Sequence, residues 1–415
     1  MTGDRPGDGA GVAGGQLRVL VVHNRYQQAG GEDVVFEAET ELLRRAGHAV
    51  ETMVMDNDSI SGHMSVAERA KLAARTAWST RSARMIREAV RSWQPHVMHA
   101  HNTFPLWSPS IFAAARREGV ATVLTLHNYR LICPSADLFR DGHPCEDCVG
   151  RTVAWPGVRH ACYRDSRLQT GTVAAMLAFN RGRRTWQRDI DAYIALTDFA
   201  RTRLLRGGLP SDRIHVKPNF LYPDPGPSSG ARAGFLFAGR LTDEKGVRTL
   251  IEAARSITSG QEVRVAGTGP LEGELRAAAA TIPSLRVLGQ LGRAELLLEM
   301  GRSTALVVPS LWYEGFPMTV VEAFATGTPV IASRLGSLAE VITDETGLLF
   351  EASSGRSLSD ALAWAGDHIP DMAERGREAR RVFQTRYGAA ANLARLLSIY
   401  DTARDRLARP ARAHR

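Results

Sequence analysis

Two glutamates stand eight positions apart in "EGFPMTVVEAFATGTPVIAS", which runs from Glu314 to Ser333. Between them lie Gly315, Pro317 and the start of an apolar helical pattern. Pro317 suits a first helical turn, where its missing N–H costs nothing. Gly315 lets the backbone come close to a ligand. The free N–H groups after Gly315, including those of Met318 and Thr319, would point at an anion with the help of the helix dipole. Glu314 falls just outside this helix start. Glu322 falls inside it, about one and a half turns on at ~1.5 Å per residue. Neither carboxylate suits a phosphate. Both could accept hydrogen bonds from hydroxyls on either side of one, and a ribose–diphosphate–sugar molecule has that layout.

Other chemistry-bearing residues are clustered too. Arg240 and Lys245 lie within "GRLTDEKG", a loop between a strand and a helix. Alone they would pass as surface charges. His127 ends the strand-like "LTLHN"; His99 and His101 sit in "MHAHN". All four cysteines, Cys133, Cys145, Cys148 and Cys162, fall within one short stretch spaced C-x11-C-x2-C-x13-C. The turn-rich "DGHPCEDC" is similar to a zinc knuckle, and four thiolates would close a tetrahedral structural site. Free thiols, a disulfide and an iron–sulfur cluster stay open as alternatives. His143 and His160 are substitute ligands. No His/carboxylate set accompanies the thiols, so a catalytic metal is not expected.

The elements that must position these residues alternate strand and helix. "LRVLVVHN" reads as a buried parallel strand. It is followed by a turn at Gly30 and Gly31, a helix to about Gly47, and the strand "AVETMVM". Glu32 and Asp33 suit that helix's start. The pattern continues with a helix from Val66 to Trp93, strands at "HVMHAHN", "TVLTLHN" and "AYIALT", and helices between. "YPDPGPSSGARA" (Tyr222–Ala233) reads as a linker. The alternation then restarts at "GFLFAG" and runs through "PVIAS" and "GLLF". The fold class expected is α/β: two Rossmann-like doubly wound domains facing a cleft, over 17–221 and 234–385. The Cys-rich insertion is 133–162. The Gly-rich start, 1–16, reads as a loose tail, and 386–415 as a terminal helix with a basic end.

The whole chain sets bounds. At 415 residues it is long enough for two domains. Its net charge is +8 and arginine supplies nearly all of it, which suits anionic partners. No apolar run approaches the length of a membrane span. No export signal is visible, so the expectation is a cytoplasmic protein. "GTGPLEG" misplaces the third glycine of a dinucleotide fingerprint, and there is no P-loop motif.

The E-x7-E spacing with "AFATGTPVIAS" resembles the retaining glycosyltransferases of family 4, which have the GT-B fold. "FAGRLTDEKGVRTLI", "VRVAGTGPLEGEL" and "GLLF" are similar to that family's segments in the same order. The resemblance implies that Arg240 and Lys245 hold the diphosphate, Glu322 the ribose hydroxyls and Glu314 the donor sugar. It places backbone groups of Gly315, Phe316, Pro317, Met318 and Thr319 at sugar and phosphate. Gln290 and Leu291 meet the base. Gly30 and Gly31 approach phosphate and acceptor, His127 lies at the sugar edge, and the terminal helix returns to the N-terminal domain. The implied donor is a UDP-, GDP- or dTDP-sugar. The implied reaction is front-face transfer with retention to a glycan, lipid-linked or small-molecule acceptor, without a catalytic metal.

Two further classes remain beside it: a GT-B sugar-nucleotide epimerase, and a non-catalytic basic protein binding nucleic acid. The basic residues are dispersed and no nucleic-acid motif is present, so no nucleic acid is expected. "RLQTGTVAAMLAFNRGRRTWQRDI" places Leu168, Thr172, Met176, Phe179, Trp186 and Ile190 near one helical stripe. Such a helix either packs on a core with a basic rim or lies on an anionic membrane face.

Overall fold

The computed structural model describes residues 15–26, 30–57, 65–257 and 261–409. Two six-stranded sheets hold nearly all of its strands, and every strand pair in them is parallel. The N-terminal sheet contains β1 (Arg18–Arg25), β2 (Ala49–Asp56), β3 (Val97–Ala100) and β4 (Ala121–Leu126). A two-strand hairpin, β5 (Phe139–Arg140) and β6 (His143–Pro144), stands apart. The sheet resumes with β7 (Ala192–Ala195) and β8 (Ile214–Val216), in the order β2-β1-β3-β4-β7-β8.

The C-terminal sheet is built from β9 (Phe235–Ala238), β10 (Val263–Ala266), β11 (Leu285–Gly289), β12 (Ala305–Val308), β13 (Val330–Ser333) and β14 (Gly347–Phe350). Its order is β11-β10-β9-β12-β13-β14, the doubly wound arrangement whose order reverses between β9 and β12. Ligands in such sheets bind outside the carboxyl ends of the strands at that reversal. The N-terminal sheet reverses between β1 and β3.

Both sheets are covered on both faces, which explains their continuous apolar runs. Along β1 the side chains alternate: Leu20 and Val22 pack with Trp107 and Ile111, while Val19 and Val21 pack with Leu396 and Tyr400. Those last two lie on the terminal helix Ala389–Ala408, so the chain's end does return to the N-terminal sheet. β9 repeats the pattern, with Phe235 and Phe237 on one face and Leu236 on the other.

The structure departs from three sequence expectations. The helix expected over Val66–Trp93 is two helices, Val66–Ala77 and Thr80–Trp93. Ser79 breaks it by capping the second: its hydroxyl accepts from the Ser82 N–H at 3.0 Å. The single stripe expected from Leu168 to Ile190 is also broken. The helix Arg167–Gly182 ends before Arg184, which is left-handed at φ 57. Its buried face is Thr170, Val173, Met176 and Leu177, leaving Leu168 and Phe179 exposed. Pro317 is the cap preceding the helix Met318–Ala325, not its first residue. The N-terminal tail expectation lies mostly outside the described residues.

Candidate functional site

The loops at the C-terminal sheet's reversal carry the paired charges. After β9 come Arg240 and a 3-10 turn, Asp243–Lys245, closed by Gly246 at φ 74. A side chain on Gly246 would run into the Pro309 carbonyl, so only glycine lets this turn lie on the loop after β12. The Leu311 N–H donates to the Glu244 carbonyl at 2.8 Å and ties the two loops together. As a result the Lys245 Nζ donates to Glu314 Oε1 at 2.7 Å, and the Ser310 hydroxyl donates to the same oxygen at 2.6 Å. Glu314 is buried and Lys245 partly so. Arg240 is exposed; its carbonyl accepts from the Thr242 N–H at 3.0 Å, and its guanidinium makes no hydrogen bond or ion pair among the described residues.

The helix Met318–Ala325 starts in this loop. Its first N–H groups have no intrahelical carbonyl four residues back; the Val320 N–H turns to the Pro317 carbonyl at 3.1 Å. Glu322 is buried on this helix, with the Arg293 guanidinium 3.8 Å from Oε1. Burial pushes its carboxyl up to about 7, and Arg293 only partly opposes this. Gln290 and Leu291 follow β11, the first exposed and the second half-buried, just before the helix Arg293–Arg302.

Residues of the N-terminal sheet meet this loop. Gly315 lies against the backbone carbonyl of His127, and Asn219 Nδ2 donates to the Phe316 carbonyl at 2.9 Å. Gly30 caps the helix Gly31–Arg45, and its N–H donates to Asp33 Oδ2 at 2.8 Å. A Cβ on Gly31 would be 3.1 Å from Met318 Cγ. Thus Gly31, His127, Gly315 and Met318 meet at the line where the two halves touch.

His127 is half-buried at the end of β4. Burial holds its imidazole down at about 3, so it is neutral and can exchange hydrogen bonds but carries no charge. Its Nε2 lies 3.2 Å from His101 Nδ1, and His101 Nε2 lies 3.5 Å from Glu39 Oε2. His99 is fully buried, hydrogen-bonded between Tyr400 and Thr125.

Several residues near the cleft carried no motif. Glu39 is paired with Lys217 at 3.3 Å, and both are essentially inaccessible. One signal pointed there. Among 52 basic residues only Lys71, Lys217 and Lys245 are lysines, and two of these three lie in buried or cleft positions. Glu39, His99 and His101 also form the tightest set of metal-type ligand atoms among the described residues. Lys217 already supplies a cation there, and the His99 nitrogens are taken. Glu32, read only as a helix-start acid, accepts from Asn102 Nδ2 at 3.1 Å. Burial, with Asp33 adding to it, pushes Glu32 up to about 8, against Arg130 and Asn102. Arg130 stacks on Phe104 and Tyr163 at 4.6 and 5.0 Å.

The four cysteines line one small hollow beside Pro134, Phe139 and Arg140. His143 and His160 are exposed and do not line it. No helix of the described residues is long and apolar enough to cross a membrane.

Two family models match the chain. One, described as Glycosyltransferase Family 4, covers residues 29–224; the other, Glycosyl transferases group 1, covers 232–367. A phosphatidyl-myo-inositol mannosyltransferase of Mycobacterium leprae is 31% identical over 191 residues, 43% of this chain and 50% of that protein. The chain thus spans about half the length of this curated relative. Sucrose-phosphate synthase from Thermosynechococcus elongatus superposes with a TM-score of 0.67 at 17% identity, over 93% of this chain and 98% of that one. Anabaena HepE in complex with UDP-glucose gives 0.63 at 14% identity, over 93% and 100%.

Proposed function

The chain belongs to glycosyltransferase family 4 and has the GT-B fold, and we propose that it moves a sugar from a nucleotide-sugar donor to a glycan, lipid-linked or small-molecule acceptor. Transfer is of the retaining, hexosyltransferase type. The observation that carries this reading is the Lys245–Glu314 pair in the loop before the Met318 helix, whose Gly315 packs on the backbone carbonyl of His127.

The diphosphate lies on the helix start, between Arg240 and Lys245. The departing nucleotide gains negative charge in the transition state, and two fixed cations with the helix dipole stabilise it there. Lys245 now holds Glu314. A bound diphosphate offers the ammonium a stronger partner and frees Glu314 to accept from a sugar hydroxyl, while Ser310 keeps the carboxylate in place. Glu322 accepts from the ribose hydroxyls, and the backbone of Gln290 and Leu291 meets the base. Neutral His127 hydrogen-bonds the sugar from the opposite wall, and Gly30 and Gly31 border the acceptor.

The HepE complex supports trying a UDP-sugar first. The Mycobacterium leprae relative acts, by its name, on a phosphatidylinositol, which supports a lipid among the acceptors. Exposed Trp155, Leu168 and Phe179 on the N-terminal half support peripheral contact with a membrane, and the chain works at its inner face. The test is turnover of UDP-, GDP- and dTDP-sugars with lipid and glycan acceptors, with the product's anomeric configuration read by NMR. Acceptor-dependent nucleotide release with retained configuration is expected. Inversion would overturn the mechanism. Donor conversion without acceptor would overturn transfer in favour of an epimerase.

A further inference from the structure

The segment from Phe139 to Val153 is hard to explain by packing. Of its fifteen residues only Cys148 is buried. Its one hairpin is two residues per strand, and Asp141, Gly142 and Gly150 all have positive φ. So little buried apolar surface does not offset the entropy of ordering such a stretch, and small core-poor units ordinarily rely on a cross-link or a metal.

The four cysteines supply what is missing. Cys133, Cys145, Cys148 and Cys162 come from separate turns, yet all line one hollow of about 10 Å³. That is about the space of one water-sized sphere, enough for a single ion. None of the four is in a disulfide. A backbone N–H already points at one of the sulfurs: Gly157 donates to Cys148 Sγ at 3.2 Å. Sulfurs that accept from backbone amides within C-x2-C are poised as thiolate ligands. The Arg140 side chain lines the same hollow and would offset the net charge left when four thiolates meet one dication.

We propose that Cys133, Cys145, Cys148 and Cys162 bind one zinc ion as a structural site. Four thiol protons leave to solvent as the ion binds, and no oxidation is involved. The sulfurs are set more widely than the Glu39, His99 and His101 atoms. The proposal therefore requires the cysteine side chains to draw together to reach the ~2.3 Å bonds of a zinc–thiolate site. The buried carboxylate and imidazoles are not the competing site, because Lys217 fills the cation's role there.

The ion would also fix part of the cleft wall, a consequence that rests on the transferase reading. Asp137, four residues after Cys133, has Arg130, Glu244 and Arg240 as its charged neighbours. Two of these belong to the loop after β9.

The test is metal analysis of the full chain, expressed without a histidine tag and dialysed to constant content. About one zinc per chain is expected, falling to background in Cys145→Ser/Cys148→Ser. Protein grown with cobalt in place of zinc should show thiolate-to-cobalt charge transfer and tetrahedral d–d bands. These readouts on the unmutated chain do not depend on the variant folding, nor on sugar transfer. Zinc retained in the double variant would overturn the assignment. So would stoichiometric iron, a disulfide by mass, or a folded zinc-free chain whose four thiols all react.

Discussion

Gly315 rests on His127: a Cβ added to the glycine would stand 2.8 Å from the histidine's backbone oxygen. One residue follows the last carboxylate of the C-terminal loop and the other ends a central strand of the N-terminal sheet. Their contact joins the loop that carries the Lys245–Glu314 pair to the end of the strand that carries His127.

Gly315→Ala should therefore fold but work poorly. The alanine methyl has to push the two loops apart, and a misplacement near 1 Å can cost about 10²-fold in rate. Steady-state kinetics beside a melting curve check this. Unchanged kcat/KM would mean that the contact does not set the reacting geometry.

Glu322 should trade stability for binding. Its folded pKa, about 7, lies above the ordinary 4.5 because the carboxyl is buried. A raised acid holds its proton more tightly when folded. Its contribution to stability is therefore greatest below pH 4.5, falls as pH rises to about 7, and then levels off. The whole change is about 3 kcal/mol. Glu322→Gln lacks this titration, so it should gain on the parent by about that much between pH 5 and pH 8 while losing nucleotide affinity. Denaturant titrations at the two pH values measure it; parallel pH curves for parent and variant would refute the buried carboxyl.

Lys217→Met should be severe. It leaves the Glu39 carboxylate buried among His99 and His101 without a cation, at a cost of about 3–5 kcal/mol. Adding Glu39→Gln should recover most of that loss. If the double variant is no more stable than the single one, the two residues are not a compensating pair.

The membrane contact has its own check. Trp155→Ala/Leu168→Ala/Phe179→Ala removes exposed apolar surface and leaves the buried face of the Arg167–Gly182 helix intact. Co-sedimentation with anionic vesicles should fall strongly while the melting temperature holds. Equal sedimentation of parent and variant would place any membrane contact elsewhere.

Much of this was legible from residue order alone. Parallel buried strands announce themselves as apolar runs, so β1, β4 and β9 through β13 were readable. The Glu314–Glu322 spacing was readable because a helix start dictates where its neighbours point. What escaped notice depended on distant contacts. Glu39 and Lys217 are far apart in the chain, and neither has a local pattern; only the fold puts an acid of the first helix on a lysine at the end of β8. Asp137 is likewise one turn residue among many until the insertion folds back toward Arg240. The two broken helices were missed because a capping serine and a left-handed arginine interrupt patterns that periodicity alone carries through.

The most direct test of the account is calorimetric titration of UDP, GDP and dTDP, with their sugars, into the parent, Arg240→Ala, Lys245→Ala and Glu322→Ala. One nucleotide family should bind the parent at micromolar concentration. Each variant should weaken it by about 10- to 100-fold, as expected for losing a hydrogen bond to a charged group. A folded parent that binds none of the three, or variants that bind as the parent does, would contradict a nucleotide-sugar site at the Lys245–Glu314 pair.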